Sequence, residues 1–176
     1  MTRGAQNDFM QGFRFHVVAS TADGINPLLI VRKGEIEGGA EAGFQSVTLP
    51  EITVEAVEYR EGNFKWTQKY PGPPTVSACT LMRGITKEDS TFHDWVMKSV
   101  DGDEYRCTVT IYQYQRTEMS QANLSEYSDE LKRWECRNCV PTRAKAGADL
   151  DSATGEVSLA EVDFELESFD VYPKPA

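Results

Sequence analysis

The amino-acid sequence predicts a mainly β protein with one α-helix and a long protruding hairpin. Three stretches carry that expectation. Residues 105–114 alternate strictly, with Cys107, Val109 and Ile111 on one face and Thr108, Thr110 and Tyr112 on the other, the period-2 pattern of a strand. Residues 52–59, Ile-Thr-Val-Glu-Ala-Val-Glu-Tyr, alternate as a half-buried strand does and run into the turn residues Glu61-Gly62-Asn63. A helix is expected to begin near Thr86-Lys-Glu-Asp89, which resembles a capping box with Asp in place of Glu. Its apolar stripe is Phe92, Trp95, Val96 and Val100, and Asp101-Gly102 ends it.

The other elements follow in chain order. After an N-terminal arm at 1–12, Phe13–Ala19 reads as a first strand and Pro27–Arg32 as a second, joined by the turn-forming Asp23-Gly24. The loop 34–43 holds Gly38, Gly39 and Gly43 without the spacing of a phosphate-binding fingerprint, and no Lys-Ser/Thr pair follows. Residues 43–84 read as a strand, an exposed hairpin and a second strand ending just before the helix. A hairpin over Ile52–Lys69 is long enough to overhang a small domain, and overhanging strands leave backbone groups unpaired. Residues 115–129 are polar and aperiodic, a surface excursion. Leu131–Val140 reads as a strand that Pro141 breaks, and Lys145–Asp151 as a loop.

From Glu156 a final long strand sets Val162, Phe164 and Leu166 on one side and Glu161, Asp163, Glu165 and Glu167 on the other. Four carboxylates spaced two residues apart repel one another, so their face must be wet. It is either a solvated sheet face or the wall of a water-filled channel that does not hold a polyanion. On a straight strand the carboxylates do not converge on a calcium ion.

The 176 residues are expected to form one domain, 1–176, around one core. Eighteen Lys and Arg against 28 Asp and Glu give a formal charge of −10 and a pI near 4.7, which sets an acidic surface against nucleic-acid phosphates. No apolar run approaches the roughly 20 residues of a membrane-spanning helix, and the start lacks a signal peptide's apolar stretch. The expectation is a chain made and kept in a cytoplasm, without membrane insertion of its own. Cys79, Cys107, Cys136 and Cys139 read as reduced core thiols. The Cys136-Arg-Asn-Cys139 pair has the spacing of a zinc clasp or a thiol-disulfide site, but on a strand its odd offset sends the two thiols to opposite faces. His16 and His93 are the only histidines, and His93 and Asp94 point about 100° apart on a helix. With neither a Gly-x-Ser-x-Gly elbow nor a His-Glu-x-x-His pair, the sequence is expected to hold no catalytic, cofactor or metal residues.

Seven motifs then occur in an order that resembles one family. They are Phe13-Arg-Phe-His-Val17; Gly43-Phe-Gln-Ser-Val47; the hairpin segment Glu58-Tyr-Arg-Glu-Gly62; Lys69-Tyr-Pro-Gly72; Leu81-Met-Arg-Gly-Ile-Thr86; His93-Asp-Trp-Val96 on the helix; and Trp134-Glu-Cys-Arg-Asn-Cys-Val-Pro141, followed by the acidic terminal strand. Together they resemble the inner tube proteins of contractile phage tails and of extracellular contractile injection systems, over most of the chain. Two features depart from that pattern: the length of the 115–129 stretch, and His93 where an aromatic residue is expected.

The resemblance implies a phage tail tube-like fold, an antiparallel β-sandwich or β-barrel with one flanking α-helix, whose protomers form hexameric rings, stacked head to tail into a hollow conduit for DNA or protein cargo. The implied partners are further copies of the chain, the tail sheath, baseplate, tube-initiator and terminator proteins, and the DNA or effector in the lumen. The implied location is a virion tail or injection-system particle, assembled in the host bacterial cytoplasm. Glu161, Asp163, Glu165 and Glu167 become lumen candidates. Val54, Val57, Tyr59, Arg60, Phe64 and Trp66 become inter-subunit candidates on the hairpin. Three alternatives remain open: a tube-initiating ring subunit at the baseplate; a monomeric β-barrel binding module whose Trp66, Trp95 and Trp134 line an apolar pocket; and an enzyme that uses the CxxC pair.

Overall fold

The structure, a computed structural model, describes residues 12, 15–21, 43–85, 89–113, 132–147 and 157–172. Ten elements form: β1 (Phe15–Ser20), β2 (Ser46–Val47), β3 (Ile52–Tyr59), β4 (Gln68–Val76), β5 (Cys79–Gly84), α1 (Thr91–Asp101), β6 (Cys107–Gln113), β7 (Lys132–Lys145), β8 (Leu159–Glu165) and β9 (Ser168–Tyr172). The expected strand at 27–32, the excursion at 115–129 and, apart from Gly12, the N-terminal arm lie outside the described residues. Every described strand pairing is antiparallel, in the order β1-β6-β7-β8-β5-β2 with β9 also on β7, while β3 and β4 form a separate two-stranded sheet.

The long strand β7 joins two half-sheets. Its first half pairs β6 along one edge and β9 along the other, through Arg133↔Tyr172 to Arg137↔Ser168. Its second half pairs β8 through Val140↔Glu165 to Lys145↔Glu161. Two irregularities mark the change of partner. Opposite β6, three residues from Cys136 to Cys139 match two from Val109 to Cys107, and the extra residue takes Asn138 to φ 53°, the left-handed region that Asn tolerates better than most residues. Opposite β8, the register shifts between Pro141 and Arg143.

Three expectations are corrected here. Pro141 does not break the strand: it sits inside β7 opposite Phe164, next to the second irregularity, where sheets accommodate proline. Cys136 and Cys139 do not face opposite ways, because the bulge turns both Arg137 and Asn138 outward and returns both thiols to the core. The final strand is not continuous: β8 ends at Glu165, and the chain turns a corner at Leu166 and Glu167 before β9, held by the Glu167 N–H donating to the Arg137 carbonyl at 3.2 Å.

The core lies between the half-sheets and beneath α1, with Val17, Val109, Ile111 and Cys136 from one side and Leu81, Val162 and Phe164 from the other. Trp95 packs on Phe164 with ring centroids 5.9 Å apart and donates its indole N–H to the Tyr105 carbonyl at 2.8 Å, so a fully buried tryptophan carries no unmet donor. Phe92 is buried beside it, but Val100 is 70% exposed and does not belong to the buried stripe that the spacing suggested. Gly102 ends the helix as expected, at φ 81° with its N–H on the Lys98 carbonyl.

The helix begins later than its capping-box pattern suggested. Ser90 occupies the N-cap without a side-chain bond to the helix backbone, and Asp89, one residue earlier, caps instead by accepting the Thr91 N–H at 3.3 Å and the Thr91 hydroxyl at 3.1 Å. The same carboxylate pairs with the guanidinium of Arg83 at the end of β5. Both side chains are almost wholly buried, and the guanidinium lies 4.0 Å from the centre of the Phe92 ring. This pair ties the helix start to the sheet, and removing one partner strands a buried charge. Asp89→Ala is expected to lower stability by about 3–5 kcal/mol, measured as a fall in the urea midpoint at unchanged slope.

Candidate functional site

The hairpin β3–β4 stands apart from the sandwich. Its two strands contact each other and little else among the described elements, with Val76 at its base packed against the core. The alternation in β3 suggested a half-buried strand, but all eight of its residues are exposed in the single chain. Seven of the twelve exposed large hydrophobic residues among the described residues fall between Ile52 and Tyr70, and Trp66, at 72%, ties with Val157 as the most exposed of the twelve. The hairpin candidates Val54, Val57, Tyr59, Phe64 and Trp66 are all in this group, and Arg60 is exposed beside them. Apolar groups so concentrated on one projecting element mark a contact surface.

The hairpin's path is set locally. Between Val54 and Ala56 the register shifts so that Pro74 and Pro71 become their partners, placing an extra residue in β4. At this bulge a Cβ on Gly72 would lie 2.7 Å from the Glu55 carbonyl oxygen, so the backbones approach more closely than any side chain allows.

The acidic row lies on the outward face of the sandwich, as its alternation required, but it is not four bare carboxylates. Glu161 and Asp163 share Arg143, whose guanidinium donates to each at 2.6 Å. Thr80 donates to Asp163 at 2.8 Å. Burial by itself pushes the Asp163 carboxyl up, but the Arg143 and Thr80 hydrogen bonds and the Arg143 charge outweigh it and hold the pKa below its ordinary value. Glu167 sits past the strand end at the β8–β9 corner, where Arg106 and the Asn138 amide bind it and hold its pKa down. Glu165 is exposed and has no ion-pair partner among the described residues. The sequence marked the four acids but not their arginines, because Arg143 on β7 and Arg106 just before β6 lie elsewhere in the chain and only the fold brings them together.

The remaining candidates do not converge on chemistry. All four cysteines are free and buried, and burial raises the Cys107 and Cys139 thiols, the latter to about 12. The Cys136 thiol is raised first by its hydrogen bond with Cys79 and then by burial. Protonated, water-shielded thiols are packing groups rather than nucleophiles. Trp95 and Trp134 belong to the core while Trp66 is on the hairpin surface, so the three do not line one pocket. Asp94 accepts the Ser90 hydroxyl at 2.6 Å and lies 3.6 Å from His93, which puts the carboxylate between the other two; a triad needs the imidazole there.

Comparison with known proteins bears on the fold and the family. A family model described as T4-like virus tail tube protein gp19 matches residues 11–170. Among curated proteins, no sequence relative matches the chain. A chain in the cryo-EM structure of an extracellular contractile injection system, the PVC sheath-tube complex in the extended state, superposes with a TM-score of 0.72 at 18% identity, over 96% of this chain and 95% of that one. A chain of the anti-feeding prophage (AFP) baseplate gives 0.69 at 14% identity, over the whole of both chains. An Hcp protein gives 0.55 at 10% identity, over 91% of this chain and 92% of that one. With the family model spanning nearly its whole length and its fold shared with these structures, the chain belongs to the T4-like virus tail tube protein gp19 family, as a structural tube protein and not an enzyme.

Proposed function

We propose that this chain is the repeating subunit of the inner tube of a contractile tail or injection machine, stacking as hexameric rings into a hollow conduit for DNA or protein cargo. The observation that carries the reading is the projecting hairpin, with its exposed apolar side chains on both faces and, beyond Val76 at its base, little packing against the other described elements. Copies that repeat one head-to-tail contact build an open filament, which a tube of stacked rings requires. The sheath, baseplate or initiator, and terminator are the proposed partners, supported by chains of this fold in structures of a sheath-tube complex, a baseplate and a sheath/tube terminator. A second reading, a tube-initiating ring subunit at the baseplate, draws on the full-length likeness to the AFP baseplate chain.

Glu161, Asp163, Glu165 and Glu167 are the proposed lumen wall. Arg143, shared by Glu161 and Asp163, leaves one net negative charge there, Arg106 balances Glu167, and Glu165 has no ion-pair partner among the described residues, so the face stays acidic and its hold on a passing polyanion is weak. The wall tightens above the carboxylate range: a depressed Asp163 pKa contributes stability that is present above the ordinary value of 3.8 and lost as pH falls through the lower folded value.

Negative-stain electron microscopy of the purified protein across concentration and salt tests the main reading. Hollow rings or tubes are expected; a monodisperse monomer would overturn the repeating-tube role in favour of the initiator. Trp66→Ala is expected to leave the monomer's circular dichroism unchanged and to raise the concentration needed for assembly by roughly thirtyfold, as loss of a buried aromatic anchor does. Glu165→Lys should assemble normally but bind several-fold more DNA within the tube at about 50 mM salt, and unchanged binding would remove the lumen assignment. Arg143→Gln and Thr80→Val should each raise the Asp163 pKa towards 3.8, read by carboxyl NMR titration of the unassembled protein, and flatten the acid limb of its unfolding curve.

A further inference from the structure

The two edges of the hairpin are not equivalent. In an antiparallel pair, directly opposed residues alternate between those that bond to each other and those whose N–H and C=O point away from the partner. The Ser77 N–H donates to the Glu51 carbonyl at 2.9 Å at the hairpin base, which makes Glu51 and Ser77 a bonded pair. The next pair, Ile52↔Val76, therefore points its backbone groups outward. Continuing by twos along β3, Val54, Ala56 and Glu58 also point outward, and on β4 so do their partners Pro74, Pro71 and Lys69.

The outer edge of β3 thus presents four consecutive N–H donors, at Ile52, Val54, Ala56 and Glu58. The outer edge of β4 has donors only at its ends, because the two middle positions are prolines. Both prolines occupy positions where their missing N–H costs the hairpin none of its own bonds. Lys69, paired with Glu58 at 3.5 Å, adds a charge to the same blocked edge. A two-stranded hairpin is marginal alone in water, and this one holds exposed apolar side chains next to an open row of backbone donors and acceptors.

We infer that a strand of a second copy of this chain adds to the outer edge of β3, and that β4 is closed to strand addition. The inference rests on the tube-subunit reading and specifies which edge makes the contact. The second copy is the occupant because a tube protein meets its own kind at every repeat, and an unblocked edge is a template for one more strand.

The test compares Val54→Pro with Val76→Pro, each deleting one outward N–H at a position that makes no bond within the hairpin. Val54→Pro should raise the concentration needed for assembly at least about tenfold, the loss of roughly one hydrogen bond per contact, while Val76→Pro should leave it within about twofold. Hydrogen exchange on the unsubstituted chain gives a readout free of folding defects: assembly should slow exchange of the Ile52, Val54, Ala56 and Glu58 amides and leave Lys69 and Val76 unchanged. Equal protection of both edges, or equal effects of both substitutions, would overturn the edge assignment. Protection of β3 that appears only when sheath protein is added would overturn the second-copy occupant. Unimpaired assembly of a chain whose 52–76 segment is replaced by a short linker would instead overturn the hairpin's role in the parent reading.

Discussion

Strand β7 has two edges and three partners, and the sandwich depends on how that is resolved. A regular strand passing from β6 and β9 to β8 would send Cys136 and Cys139, three residues apart, to opposite faces, because side chains alternate strictly. The added residue at Asn138 does the reverse locally: two outward positions in succession let Cys136 and Cys139 both remain inside while the strand bends. Asn138 also uses its side chain, donating to Glu167 at 2.8 Å, so the bulge in β7 and the corner between β8 and β9 brace each other. Arg106 completes that brace from the residue before β6. The two half-sheets are held at their junction by exposed polar contacts and through their interior by apolar packing.

The helix depends on that frame. Trp95 reaches Phe164 on β8, and its N–H meets the Tyr105 carbonyl, while Arg83 and Asp89 fix the segment where the chain leaves β5 for the helix. A buried ion pair adds little net stability compared with an apolar pair, but it fixes one arrangement, because any other leaves a charge unpaired out of water. Sandwich and helix are therefore packed on one core, from which the hairpin projects.

Much of this was legible in the residues. Strict alternation gave β6 and the inward row of β8, and Gly102 marked the end of the helix. Alternation in β3 gave the strand but not its environment, because a pattern of apolar and polar residues reads the same whether the covering partner is the chain's own core or another copy. The path of β7 was hidden for a physical reason: a bulge has no composition of its own, and Pro141 ordinarily ends a strand unless an irregularity beside it takes up the missing bond. The acidic row was visible while its neutralisation was not, since Arg143 lies some twenty residues away from Asp163 and meets it only through the β7–β8 register. Val100 fell off the buried stripe: it is exposed near the C-terminal end of the helix, whereas Phe92 and Trp95 are buried.

Under the proposed assembly, the prolines of β4 bear on why such a surface would give a tube and not an aggregate. An apolar hairpin with two open edges adds strands on either side, and copies then join into sheets without a fixed direction. Closing one edge leaves each copy a single place to receive a strand. The strand it receives must come from a different part of the neighbour, because two hairpins joined through their one open edge would form a closed pair and growth would stop. Contact between unlike surfaces has a direction, and a direction repeated is what turns a ring or stack into a polar conduit. On this proposal Pro71 and Pro74 act by exclusion: they remove the pairing that would compete with assembly, and they do so at the positions where the hairpin itself needs no donor.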